Sequence, residues 1–230
     1  MIRTFKALSA LLSYPSADLQ EAIPAIRDVL MSEAIVSANA LNAIEPLLVE
    51  FETGDIFDLQ ERYVLLFDRS RTLSLNLFEH IHGEGRDRGG AMVDLVETYR
   101  AGGFDLVSTE LPDHLPVLLE FISTLSLSEA RALLVDAGHI IAALAERLTR
   151  RETPYASVLI ALSETAQASI ETEEAQALIA EKDDDPEDLE ALDAVYEEAM
   201  VTFGPDPNAG CPVSRDILAR MDEPLRPASA

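Results

Sequence analysis

The chain has 230 residues, 42 acidic against 17 basic side chains and a net charge of −25, so it is strongly acidic and long enough for one sizeable core. That charge repels phosphate backbones and anionic lipid surfaces, which argues against nucleic-acid and membrane-surface roles. A single cysteine, Cys211, excludes an internal disulfide framework and a cysteine-built zinc site within one chain, and no apolar run reaches the roughly 18 residues of a membrane span.

Helical periodicity dominates the chain. Residues 2–13 are predicted as a first helix stopped by Pro15. Met1–Leu12 looks like a targeting signal only superficially, because its apolar part is short, is broken by Ser9 and lacks a small-residue cleavage site. Ser16 caps a second helix with Leu19, Ile23, Ile26 and Leu30 on one face. A third covers residues 38–52, where Pro46 either kinks it or opens its second half. Gly54-Asp55 ends that unit and caps the next, whose stripe is Ile56, Leu59, Tyr63, Leu66 and Phe67.

Ala91 to Arg100 is predicted as a helix closed by Gly102-Gly103, after a turn with Asp87 or Arg88 near its end. Leu111–Pro116 opens a helix with the stripe Leu115, Leu118, Leu119 and Ile122. Ser128 starts a long helix to Arg150, and Thr153-Pro154 reads as cap and first residue of the next. From Glu164 to Glu198 there are fourteen acidic residues and one lysine, and Asp185-Pro186 begins a helix there. The fold class is all-α: a single-domain bundle of roughly eight to ten helices. It is expected to occupy residues 1–203, with 164–203 as its acidic part and 204–230 as loop and disordered tail.

The segment Gln60–Gly90 departs from this pattern, crowding Arg62, Arg69, Arg71, Arg86 and Arg88, His80, His82 and four glycines together. On a helix His80 and His82 point about 200° apart, so they do not share an ion, and no second ligand cluster follows. Gly83 to Gly90 has neither the preceding strand nor the lysine of a phosphate-cradling loop. No nucleophile-elbow spacing appears, so there is no catalytic residue to nominate. His114, beside Asp113, falls at the edge of an apolar stripe. The pair reads either as a helix cap plus a satisfied histidine, or as a polar pair at the rim of a groove that takes a peptide. The acidic stretch 164–198 is a solvated helix face or a means of steering a basic segment.

Several motifs together carry a resemblance across nearly the whole chain. They are Leu11-Leu-Ser-Tyr-Pro15, Tyr63-Val-Leu-Leu-Phe67, Leu75-Asn-Leu-Phe-Glu-His-Ile-His-Gly-Glu84, Arg86-Asp-Arg-Gly89, Glu110-Leu-Pro-Asp-His-Leu-Pro116, Arg150–Tyr155 and Leu192–Glu198. In this order the set resembles the respiratory nitrate reductase assembly chaperones, or delta subunits, a branch of the TorD-like redox-enzyme maturation chaperones. The chain departs from their pattern at Asn76, at Gly85 and in its short C-terminal tail.

The resemblance implies an all-helical, cytoplasmic, non-enzymatic chaperone without a resident cofactor. Its partner would be the N-terminal, leader-like segment of the apo catalytic alpha subunit, with a second contact elsewhere on that subunit. Molybdenum cofactor biosynthesis proteins form a further partner class. Binding would delay membrane docking until the molybdenum cofactor and iron–sulfur cluster are inserted, and the chaperone would be absent from the final enzyme. Carried over, the peptide-binding residues are Pro112, Asp113, His114, Tyr63, Leu66, Phe67 and Glu120, with Asp113 engaging the polar face of the peptide. Glu79, His80, Arg86, Asp87 and Arg88 are candidate partner contacts of undetermined role. The alternatives are a maturation chaperone of another molybdoenzyme and a generic helical interaction scaffold.

Overall fold

The computed structural model describes residues 1–82, 86–107 and 110–182, and among them run eleven α-helices and no β-strand. They are α1 (Arg3–Leu11), α2 (Ala17–Glu33), α3 (Ala38–Thr53), α4 (Ile56–Tyr63), α5 (Glu79–His82), α6 (Arg86–Ala101), α7 (Leu115–Ser123), α8 (Leu127–Asp136), α9 (Gly138–Arg150), α10 (Ala156–Ala166) and α11 (Glu173–Ala180). The chain divides into units Met1–Asp188 and Leu189–Ala230, and every described residue lies in the first. The predicted helix from Asp185 and the expected boundary at residue 203 fall outside the described residues.

Local chemistry sets most helix starts. The Ser16 hydroxyl accepts the Leu19 N–H at 3.1 Å, Ser37 accepts that of Ala40 at 3.1 Å, and Asp55 accepts that of Phe57 at 2.8 Å. α1 is different. Its N-cap Ile2 offers no side-chain oxygen, and the carboxylate of Glu33, at the far end of α2, does the work instead. Glu33 Oε2 accepts both the N–H and the hydroxyl of Thr4 at 2.8 Å, and Oε1 accepts the N–H and Nε of Arg3 at 3.2 Å. A carboxylate at the positive end of a helix is favourable, and here it also ties α1 to α2.

Helix α3 runs through Pro46, because Leu47, Leu48 and Phe51 beyond it are buried and their packing outweighs one lost backbone hydrogen bond. Three expectations need correction. The long helix expected from Ser128 to Arg150 is two helices, broken at Ala137 (φ −89°, ψ 0°) and capped at its start by Ser126. The break lets Gly138 approach the 168 region so closely that an added Cβ would lie 3.0 Å from the Ala168 Cβ. Thr153 does not cap α10: its hydroxyl is buried without a hydrogen-bond partner among the described residues, and α10 starts only at Ala156. Finally, α6 begins at Arg86 and carries Gly89 and Gly90 within it. The split at Ala137, the four-residue α5 and α11 bring the helix number to eleven among the described residues.

The core lies where α9 packs on α10 and α11, α10 on α3, and α1 on α7 and α2. It is mostly leucine, isoleucine and alanine, and each large aliphatic side chain it buries is worth about 1.5–3 kcal/mol. An arginine sits inside it. Arg147 is 1% exposed and donates through Nη1 to the Thr72 carbonyl at 2.7 Å and through Nη2 to that of Leu178. The guanidinium thereby joins α9 to the 3-10 turn Arg71–Leu73 and to α11, and these acceptors offset the cost of its burial.

Candidate functional site

Helix α4 runs on into a π-helical turn, Val64–Asp68, closed by the Arg69 N–H on the Val64 carbonyl at 3.0 Å. The wider turn directs Leu66 and Phe67 into the core and ends at the exposed Asp68. Tyr63, Phe67, Phe51 and Tyr155 form one aromatic cluster, with Phe67 edge-on to Tyr155 at 5.1 Å. The Tyr63 hydroxyl donates to the Leu12 carbonyl at 3.0 Å, and Tyr14 stacks edge-on against the Tyr63 ring at 5.6 Å.

Beside this cluster opens a groove of about 740 Å³. Its apolar lining comes from Ala10 of α1, Leu19 and Ala22 of α2, Phe104, Leu106 and Val107 of the stretch after α6, and Pro116 and Val117 of α7. Its polar lining is mainly acidic: Asp18, Asp68, Asp105, Glu110 and Glu120, against one lysine, Lys6. Lys6 is already engaged by Glu120 across the α1–α7 contact at 3.4 Å.

Charge is concentrated where Asp68 and Glu110 face Tyr63. Partial burial, then the neighbouring Glu110, push the Asp68 carboxyl above the usual range. The Tyr63 hydroxyl is pushed up by burial first, with Asp68, Tyr155 and Glu110 adding to it. His114 enters the same wall with its Nδ1 3.8 Å from Glu110 Oε2 and its side chain 15% exposed. Burial holds its imidazole below the usual histidine range, while Glu110 and Asp113 pull the other way. The groove is therefore apolar at its base and anionic at its rim.

Of the peptide-binding residues expected from the sequence, Tyr63, His114 and Glu120 line this groove. Leu66 and Phe67 do not; both are core residues behind it. Pro112 also stands off the wall, its carbonyl accepting the Tyr99 hydroxyl at 2.7 Å. Asp113 departs most from its expected place at the groove rim. It is fully buried, and it does not cap α7, whose N-cap is His114. Instead Asp113 Oδ2 accepts the Phe78 N–H at 3.0 Å and lies 3.8 Å from Arg88 Nη2. Around it, Asn76 and His114 form an isolated antiparallel bridge, with Leu77 N–H on the Asp113 carbonyl at 3.1 Å and Leu115 N–H on that of Leu75 at 2.8 Å. Burial raises the Asp113 carboxyl above its ordinary value, and the Phe78 amide and Arg88 only partly reverse that.

Of the other candidates, Glu79, His80, Asp87 and Arg88 sit apart from the groove, and the Arg86 side chain lies outside what the structure describes. Arg88 Nη2 binds Glu79 Oε1 at 3.0 Å, and His80 Nε2 pairs with the Ser74 carbonyl at 2.8 Å. Asp87 is exposed. Among the described residues, no three His, Cys, Asp or Glu side chains converge as a metal site. No helix among them is long and apolar enough to cross a membrane.

Sequence reasoning missed Tyr14, Asp68, Phe104 and Asp105. Asp68 and Tyr14 lie inside or beside quoted motifs, but their exposure depends on the π turn and on the bend at Ser13. Phe104 depends on Gly102. A Cβ there would meet Phe121 Cε2 at 2.6 Å, and without one Phe104, Tyr99 and Phe121 form a ring cluster that sets the groove's far wall.

The profile of the nitrate reductase delta subunit family matches residues 15–161. The chain is similar to the nitrate reductase molybdenum cofactor assembly chaperone NarJ of Escherichia coli K12, at 41% identity over 205 residues, covering 88% of this chain and 86% of that one. It is 36% identical over 214 residues to the probable assembly chaperone NarW of the same organism, covering 91% and 87% of the two chains. Against the probable chaperone NarJ of Bacillus subtilis it is 32% identical over 159 residues, or 68% and 84%. These relatives are named as assembly chaperones, a non-enzymatic role. An all-α chain whose matched segment contains Tyr63, His114 and Glu120 of the groove thus belongs to the nitrate reductase delta subunit family.

Proposed function

We propose that this protein is a cytoplasmic, system-specific chaperone for respiratory nitrate reductase, and that its groove holds the leader-like N-terminal segment of the apo catalytic alpha subunit. By holding that segment it delays membrane docking while the molybdenum cofactor and iron–sulfur cluster are inserted, and it leaves before the enzyme is complete. The observation that carries this reading is the groove itself, apolar at its base and rimmed by Asp18, Asp68, Asp105, Glu110 and Glu120. Its volume falls within the roughly 300–1,000 Å³ of ordinary ligand sites, enough to seat one face of a short helix.

An amphipathic, basic segment complements this surface on both counts. Apolar side chains laid against Leu19, Ala22, Leu106 and Val117 supply most of the affinity, and arginines or lysines near Asp68 and Glu110 supply on-rate and selectivity. Pro112, Asp113, Leu66 and Phe67 contribute from behind the wall, by holding its shape.

The test is capture of the apo alpha subunit by the full chain, with and without the subunit's first ~15 residues, about four helical turns. Capture is expected to fall sharply when the segment is removed. Equal capture of both forms overturns groove binding of the leader and favours a general helical scaffold.

A further inference from the structure

Three separate contacts converge on the pair Pro112-Asp113 just before the chain delivers His114 to the groove. The Tyr99 hydroxyl, from the C-terminal part of α6, donates to the Pro112 carbonyl. The Phe78 N–H donates to Asp113 Oδ2. Arg88, from the N-terminal part of α6, reaches Glu79 Oε1 and Asp113 Oδ2 with the same Nη2 nitrogen. We propose that Arg88 is a positioning residue for the groove: by holding Asp113 and Glu79 together it fixes the turn Leu111–His114 that carries His114 into the groove wall.

Burial makes this contact consequential. An exposed ion pair contributes little, but Asp113 is fully buried and the Arg88 side chain only 15% exposed. Removing one partner leaves a buried charge uncompensated. The network is also incompletely satisfied: Asp113 Oδ1 and Arg88 Nε are buried with no hydrogen-bond partner among the described residues. Its hold on the backbone thus depends heavily on the one nitrogen that spans both carboxylates.

Helix α6 offers little else to share the task. Among its described side chains only Tyr99 is buried, and a Cβ on Gly89 or Gly90 would meet nothing within 4 Å. Tyr99 therefore ends on Pro112, and Arg88 on the adjacent Asp113 and on Glu79. Because a single nitrogen spans both carboxylates, a lysine ammonium can take over part of the contact, although the less strongly hydrated guanidinium suits a buried ion pair better.

The experiment uses the full chain with Arg88→Met, Arg88→Lys, Asp113→Asn and the double variant Arg88→Met/Asp113→Asn. Amide hydrogen exchange is followed at Leu77, Phe78 and Leu115 relative to amides of α9. Affinity for a peptide of the first ~15 alpha-subunit residues is measured by calorimetry, well below the melting temperature. In Arg88→Met, exchange at Phe78 should accelerate by about tenfold or more relative to α9, and peptide binding should weaken by about tenfold. Arg88→Lys should recover part of both, and the double variant should be no worse than Arg88→Met, since the two side chains act as one unit.

The proposal is overturned if Arg88→Met leaves the Phe78-to-α9 exchange ratio unchanged, or lowers only the melting temperature while binding peptide as the wild type does. Should Arg88→Met not fold, the double variant, which removes both charges, carries the same readouts, and wild-type values in it overturn the proposal. The binding arm rests on the groove reading. If the wild type itself fails to bind the peptide, that reading falls, while the exchange ratio still decides the role of Arg88.

Discussion

Helices α9 and α6 are similar in length and opposite in attachment. Nine of the thirteen residues of α9 are buried, and its inward arginine, Arg147, donates to backbone carbonyls of the Arg71–Leu73 turn and the end of α11, with the Glu181 carboxylate 3.4 Å away. Among the described side chains of the sixteen-residue α6 only Tyr99 is buried, and its inward arginine, Arg88, meets carboxylates. The difference separates two tasks. The α9 side is a platform whose stability comes from apolar area, whereas the α6 side is a thin brace whose few polar contacts determine where a groove wall stands. A mutation on the first should act mainly on stability, and one on the second mainly on binding.

The comparison breaks most visibly at Tyr155, which packs against Phe51, Tyr63 and Phe67 on the platform side and carries Arg62 over its ring at 5.6 Å. Tyr155→Ala should destabilise the protein by about 3–5 kcal/mol through the cavity it leaves, as read by urea unfolding. Burial pushes its hydroxyl up to about 12, with the Arg62 guanidinium pulling the other way, and no hydrogen bond of normal geometry holds it among the described residues. Tyr155→Phe should therefore be nearly neutral or mildly stabilising, which separates ring from hydroxyl.

A smaller effect is expected at Glu33, which holds the N-terminus of α1 and so the groove's floor. Burial alone would raise its carboxyl, but the hydrogen bonds from Thr4 and Arg3 outweigh it and hold the group below its ordinary range. Its folded pKa is depressed, so its contribution is fully present above the unfolded value and is lost as pH falls through the folded one. Glu33→Gln should cost about 1.5–3 kcal/mol at neutral pH, the range for hydrogen bonds to a charged group. The cost should shrink in acid below the ordinary carboxylate range, and a pH-independent difference would assign it to packing instead.

These contrasts also mark what the sequence made legible. The apolar stripes of α2, α4 and α7 and the Ser16 and Asp55 caps are local, repeating at helical spacing or lying within three residues of what they bind, and the structure agrees with them. The Glu33 cap on α1 spans about thirty residues, and no local pattern encodes it. The break at Ala137 reflects a close approach to Ala168, again a tertiary demand. Asp113 was misplaced for a related reason. A Pro-Asp-His run before a helix has the composition of a cap, and only the bridge to Leu75–Leu77 shows that its carboxylate turns inward while the next residue turns out.

The finest test of the division lies at Asp68, on the groove side but outside the Arg88 network. Burial and then Glu110 raise its folded pKa, so the ionised form is slightly disfavoured in the folded protein, and the linkage runs opposite to that of Glu33. Any cost appears as pH rises through the ordinary carboxylate range toward the raised folded value, and is absent below both. Asp68→Asn should then leave stability at neutral pH unchanged or marginally higher. A bound lysine or arginine would pull the Asp68 pKa back down, so peptide binding would release protons and strengthen as pH rises through the raised value. Because Asp68 is exposed, its ion pair with a ligand is worth only about 0.2–1 kcal/mol, or roughly a 1.4- to 5-fold weakening in Asp68→Asn. That loss should fade at high salt and in acid, and calorimetry in two buffers of different ionisation enthalpy would show fewer protons released by the variant. An equal loss at every pH and salt concentration would make Asp68 a shape residue like Asp113, and would move the groove's charge selectivity to Glu110 and Asp105.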